Sequence, residues 1–298
     1  MTAFIEVVLP VLVIFLIGYV IQKRQQLDIR SLSTVAIYVF TPMLVFDTFY
    51  QTTFDAEYIT IVLFTVILTA ALIILTKLYT WWRKRSIREE NGLILSVAFM
   101  NSGNYGAPIL LFAYGEQAFI YAVSILVLHA IIMNFLGVYY AAKGKEGIGY
   151  AFRAVFSMPP TYAVILALVF KSLQIELPEY ALSAIHLLGS ATIPLVMIIL
   201  GMQLAMIRLT KVDIPLVRFG VVARLFISPL LAIGILTFFD LNETLYKVLV
   251  ITAAMPSAAT TVLYAIQYDT EAELVSAITL LTTMGSVFTL STLLLILQ

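Results

Sequence analysis

The chain is a succession of apolar runs, each of roughly 18 to 25 residues, the length an α-helix needs to cross a hydrocarbon core of about 30 Å at 1.5 Å per residue. Few folds accept that pattern. In lipid every backbone amide must be satisfied within the protein, so a spanning segment is either a helix or a strand of a closed barrel. Barrel strands alternate apolar and polar residues in pieces of about ten, whereas residues 59–75 are apolar or hydroxyl-bearing on every face. Helices are therefore expected. With 62% apolar residues, 11% charged residues and a mean hydropathy of +1.03, there is too little polar surface to clothe a water-soluble globule.

Cutting the chain at its polar stretches gives ten segments, near 3–21, 31–50, 57–80, 92–114, 117–141, 152–171, 180–204, 214–238, 244–267 and 274–297. The first has no basic flank and no small-residue cleavage site, and reads as a retained helix. Lys and Arg concentrate in the odd-numbered loops. Lys23, Arg24 and Arg30; Lys77, Arg83, Lys84, Arg85 and Arg88; Lys143, Lys145 and Arg153; and Arg208, Lys211 and Arg218 make up fourteen of the 17. Cytoplasmic loops hold such an excess, so both termini are expected on the extracellular or periplasmic side of the cell membrane. Tyr79, Trp81 and Trp82, beside the third loop, read as an interfacial belt.

The short connector at 143–149 divides the chain into two sets of five segments, 1–142 and 150–298. An odd number of crossings makes the second set antiparallel to the first. Prolines recur at matching places: Pro10 with Pro159 and Pro160, Pro42 with Pro194, and Pro108 with Pro256, each pair about 150 residues apart. Inverted repeats of this kind are typical of secondary transporters. Pro42 and Pro194 are candidate breaks or hinges in the second and seventh segments.

In the fourth segment, Asn101, Ser102, Gly103, Asn104 and Gly106 are poor helix-interior residues crowded before Pro108, and should unwind the helix near mid-membrane. Pro256, followed by Ser257 and Ala258, marks the corresponding place in the ninth. Proline suits the first turn of a helix, so Pro108 and Pro256 are expected to open second half-helices whose free N–H groups and positive dipole ends face the bilayer centre. A small organic anion, most simply a carboxylate, is the natural ligand of such ends. The candidate binding residues are Asn101, Ser102, Gly103, Asn104, Tyr105, Gly106, Pro108, Pro256, Ser257 and Ala258.

With these residues the sequence resembles the auxin efflux carrier family, which includes plant PIN-type carriers and bacterial malate or malonate permeases. The likeness covers almost the whole chain and is carried by residues 101–111, Gly189-x4-Pro-Leu-x5-Gly-x-Gln-Leu204, Arg224 with Pro229, Ala254-x-Pro256, Tyr264 and a threonine-rich final helix. The resemblance implies an all-α integral membrane fold of ten helices in two inverted repeats of five, the broken fourth and ninth crossing at mid-membrane. It also implies a scaffold from segments one, two, six and seven, often dimeric, with the remaining segments as a mobile transport unit. A carboxylate-binding role carries over to Asn101, Asn104, Pro108 and Pro256. The long central loop of the regulated plant carriers is absent, which makes a bacterial permease the nearer relative.

Other polar residues bear more than one reading. Arg224, deep in the eighth segment, is a candidate for substrate contact or gating, or snorkels to the interface. Asp47, Gln203 and Gln267 are candidates for cation coupling, with interfacial carboxylate the plainer reading of Asp47. His129 and His186 either carry protons or pack with hydrogen bonds. No cofactor is implied, and coupling to H+ or Na+ is left open. With no cysteine and two well-separated histidines, a metal site is not expected, and balanced charges give no reason to expect nucleic acid. An enzyme would need a nucleophile or paired carboxylates at membrane depth, and none is found. The expected activity is alternating-access transport of mono- or dicarboxylates; a sodium-coupled symporter of bile-acid type and an anion channel are the alternatives.

Overall fold

A computed structural model describes residues 7–51, 56–142, 159–206 and 212–297, and within them the regular structure is all helical. The connector at 143–149 and the basic residues Lys143, Lys145, Arg153, Arg208 and Lys211 lie outside the described residues. The helices are α1 (Leu9–Gln25), α2 (Ile29–Gln51), α3 (Ala56–Trp82), α4 (Ile87–Ala98), α5 (Ser102–Ala141), α6 (Pro159–Ser172), α7 (Glu179–Met206), α8 (Ile214–Leu236), α9 (Glu243–Ala253), α10 (Ala259–Gln267) and α11 (Ala272–Ile296). Among them α2, α3, α5, α7, α8 and α11 are long and apolar enough to cross a membrane.

Helix α3 shows why the residues demand lipid. Ile61, Phe64, Leu68 and Leu72 form a buried stripe at helical spacing, while Ile59, Leu63, Val66, Ile74 and Leu78 are exposed on the other side. Both faces are apolar. Its buried Thr65 and Thr76 donate to the carbonyls of Ile61 (2.7 Å) and Leu72 (2.8 Å), so their hydroxyls need no water. Trp81 and Trp82 are exposed, as a belt requires. Tyr79 is not part of that belt: its ring stacks on Phe219 at 3.7 Å and its hydroxyl donates to the Pro215 carbonyl.

Prolines leave a consistent mark. A widened π-type turn ends two residues before Pro42, Pro108 and Pro229, at Ala36–Phe40, Ser102–Gly106 and Ala223–Ile227. Proline has no N–H to give and its ring crowds the carbonyl one turn back, and a wider turn relieves both. The expected breaks at Pro42 and Pro194 do not occur, because α2 and α7 run on through them. Helix α5 is instead interrupted at Gly115 (φ 78°, ψ −165°), between the expected fourth and fifth segments, in a conformation that residues with a Cβ rarely adopt.

Two groups of helices emerge from the packing. Helices α1, α2, α6 and α7 pack chiefly on one another, as do α3, α4, α5, α8, α9, α10 and α11. In the first group the backbones touch. A Cβ at Gly18 would stand 2.1 Å from the Ile198 carbonyl oxygen, and one at Gly201 would stand 2.0 Å from that of Phe15. Close approach of this kind is how membrane helices associate when lipid is as apolar as leucine.

Loops also segregate. At one end Arg85 pairs with Asp213 (2.7 Å) and Arg88 with Glu271 (3.4 Å), joining the third, seventh and ninth loops. Elsewhere Tyr50 donates to the Ile175 carbonyl (3.0 Å), and Glu57 accepts from Tyr121 and Asn242, joining the second, fourth, sixth and eighth.

Candidate functional site

The fourth and ninth segments are interrupted where the sequence is poorest in helix formers, and the two interruptions meet. Helix α4 ends at Ala98, Phe99 is extended (φ −108°, ψ 108°), and α5 starts after Asn101. Helix α9 ends at Ala253, and α10 starts after the extended Ala258 (φ −68°, ψ 127°). Met100 and Ser257 form an antiparallel bridge. The Asn101 N–H donates to the Pro256 carbonyl at 2.8 Å, and the Ala258 N–H to that of Phe99 at 3.0 Å. Each break thus satisfies backbone groups that the other exposes, which lets irregular chain persist away from water.

Pro108 stands in the first turn of the regular α-helix that follows the wide turn Ser102–Gly106, as the sequence suggested, whereas Pro256 lies three residues before α10. Pro108 acts through the wide turn that precedes it. Pro256 occupies the extended link, where its carbonyl serves the bridge.

At the crossing a single side chain joins the carbonyl ends of α4 and α9. Arg224, on α8, is fully buried. It donates through Nη1 to the Val97 carbonyl at 2.8 Å and through Nη2 to the Ala253 carbonyl and to Ser228 Oγ. Ser228 donates in turn to Ala253 at 2.7 Å. The guanidinium places a positive charge where two helix dipoles end negative. It does not line the cavity described next, so its position is that of a clamp rather than a substrate contact or a snorkelling side chain.

The amide ends are treated differently. Neither the α5 start nor the α10 start carries a side-chain cap, although Asn101 stands at the capping position of α5. Both border a cavity of about 180 Å³ at the seam between the two helix groups. Asn101, Ser102, Gly103 and Asn104 line it from the first break, and Ala258 and Thr260 from the second. Asn101 is 6% exposed and its Nδ2 has no hydrogen-bond partner.

Five of the expected binding residues therefore line the cavity and five do not. Tyr105 is fully buried with its ring 5.3 Å from that of Phe15, and its hydroxyl accepts from Ser286. Ser257 is buried, donating to the Ser96 carbonyl at 2.6 Å. Gly106, Pro108 and Pro256 also lie off the lining. Asp47 and His186 meet in a separate hollow, with Oδ2 and Nδ1 2.9 Å apart, linking α2 to α7. Gln203 and Gln267 lie away from both. The lining also includes residues that attention to the two breaks alone misses: Thr41, Thr192, His129 and Asn134, whose Oδ1 accepts from Tyr264 at 2.8 Å. An amide and an imidazole inside an apolar span were the signal that could have found the last two.

Long helices apolar on every side, crossed by paired interruptions around a cavity, define a multi-pass membrane protein with an internal site. The comparisons with known proteins agree. The family model described as membrane transport protein matches residues 3–151 and 148–294, and the chain belongs to this family, the auxin efflux carriers. An uncharacterized transporter of Methanothermobacter thermautotrophicus is 31% identical over 296 residues, covering 96% of this chain and 95% of its own. One of Methanocaldococcus jannaschii is 25% identical over 300 residues, covering 96% of each.

Proposed function

We propose that this protein is a secondary active transporter of small organic anions, mono- or dicarboxylates such as malate, malonate or auxin-like acids, working by alternating access. The observation that carries the reading is the cavity where two uncapped helix starts and the unpartnered Asn101 amide converge. Free N–H groups at a helix start favour an anion, and two starts beside one cavity add their fields. Asn101 and Asn104 supply side-chain donors, and Gly103 gives close access to backbone.

In this reading the chain crosses the cell membrane ten times as two inverted sets of five. Helix α4 with α5 up to Gly115 makes one crossing, and α9 with α10 another. Loop pairing supports it, since odd-numbered loops meet odd and even meet even. Both termini then lie outside. The group α1, α2, α6 and α7 serves as the scaffold, through which a homodimer forms, and the other group carries the site past it. Away from the cavity the crossing is backed by Arg224 and by hydroxyls of Thr279, Thr282, Thr283 and Ser286. A fixed cation there disfavours a sodium site.

Reconstituted vesicles test the proposal. Labelled malonate and benzoate should show uptake that saturates and is accelerated by the same anion inside, with Asn101→Ala and Asn104→Ala abolishing it. Non-saturating flux without counter-exchange supports a channel, and uptake that requires sodium supports the symporter alternative.

A further inference from the structure

We propose that His129 binds the proton that accompanies the transported anion, so that the two occupy one site and cross together. This rests on the carboxylate reading above and adds a coupling ion to it.

His129, on α5, lines the same cavity as Asn101. It is 5% exposed, and neither Nδ1 nor Nε2 has a hydrogen-bond partner. A buried imidazole ordinarily has its tautomer fixed by a carbonyl or carboxylate against one nitrogen. Here both nitrogens are left for a guest. The neutral ring donates through one nitrogen and the protonated ring through both. An anion held by the Asn101 amide and the α5 and α10 starts therefore gains a charge-assisted hydrogen bond from the protonated ring.

The surroundings leave the ring as the proton site beside the anion. Among the described lining residues the other titratable group is Tyr264 of α10, whose hydroxyl is engaged with Asn134. Helices α2, α6 and α7 line the cavity with apolar and threonine side chains, and α3 and α9, also packed on α5, add nothing titratable to it. The charged group within electrostatic reach is the Arg224 guanidinium of α8, whose positive charge repels a second cation, so the ring takes its proton together with the anion rather than before it. No carboxylate is among the described lining residues. The proton comes from the water on the side to which the cavity opens, adds to an imidazole nitrogen, and leaves with the anion on the other side. Linkage is reciprocal: an anion that favours the protonated ring is itself bound more tightly when the ring is protonated.

The test uses the full chain in lipid nanodiscs, with benzoate, malonate and benzenesulfonate as probes. Calorimetry between about pH 5.5 and 8 brackets the range in which an imidazole titrates. Benzenesulfonate stays ionised throughout, so any proton taken up belongs to the protein. Its affinity should weaken by up to about tenfold per pH unit as pH rises, with close to one proton absorbed per anion bound. His129→Gln keeps an N–H donor; it should bind benzoate and benzenesulfonate, which stay ionised across this range, without pH dependence or proton uptake. Sulfonate affinity that is flat with pH in the wild-type protein, or proton uptake that persists in His129→Gln, overturns the proposal while leaving the carboxylate reading intact. Should His129→Gln fail to fold, proton uptake by the wild-type protein decides. If none of the three anions binds the wild-type protein at any pH, the carboxylate reading fails and takes this one with it.

Discussion

Four helix starts at the ends of the molecule are built in the opposite way from the two at its centre. Asp28, Ser86, Asp213 and Asn242 each turn a side-chain oxygen onto an amide of the first turn, and Ser86 with Glu89 forms a reciprocal capping box. The starts at Ser102 and Ala259 have no such cap. The carbonyl ends at the crossing, by contrast, are joined by Arg224 and Ser228 through Val97 and Ala253. Facing the cavity, the Asn101 amide nitrogen and both His129 ring nitrogens are left open. At the cavity, uncapped helix starts and unpartnered side-chain nitrogens coincide, and there a guest can complete the hydrogen bonds.

Seven substitutions test this difference, six of them in order of decreasing effect on stability and Gly234→Leu as the control. Arg224→Met removes the clamp, leaving the buried Val97 carbonyl without its donor and the Ala253 carbonyl with Ser228 alone. At about 1.5–3 kcal/mol for each bond from a charged donor, thermal unfolding in detergent should show a loss of about 3 kcal/mol or more. Arg224→Lys should not restore it, because one ammonium cannot span two carbonyls as the planar fork does. Gly201→Leu drives a side chain into the Phe15 carbonyl and should cost about 1–3 kcal/mol. Gly234→Leu, with open space around it, is the control and should unfold like the parent.

Caps come next. Ser86→Ala should lose about 1 kcal/mol, whereas Ala258→Asp, at an extended position suited to capping, should gain a similar amount by supplying the missing cap. The same aspartate places the protein's own carboxylate where the substrate's belongs, so malonate uptake should vanish as unfolding temperature rises. An Ala258→Asp protein that transports normally breaks the comparison. Apart from the Gly234→Leu control, the smallest change in stability is expected for Asn101→Leu, because its amide nitrogen has no bond to lose. Malonate affinity measured by calorimetry should nonetheless fall at least about tenfold, the loss of one hydrogen bond to a charged group.

Much of this was legible in advance for local reasons. The places where α4 and α9 stop follow from residues that cannot hold a helix, and Gly115 separates two segments because of its backbone freedom. Side-chain direction was not legible. Asn101 and Tyr105 are four residues apart in the same stretch, yet one lines the cavity and the other is buried against Phe15, because the turn between them rotates the chain. Arg224 drew notice as a charge in an apolar span. That its partners are Val97 and Ala253, from opposite halves of the chain, depends on how those halves pack.

The sequence by itself determined that this protein is a bundle of apolar helices, which helices break, and that donors without acid partners gather at the breaks. Those properties reside in hydropathy, glycine, proline and amide content over a few turns, and need no distant contact. Only the tertiary structure decided that the breaks pair through a backbone bridge, that a single arginine holds their carbonyl ends, and that His129 shares a cavity with Asn101. These depend on bringing together segments more than a hundred residues apart in one case and on the twist of a single turn in another, neither of which local pattern encodes.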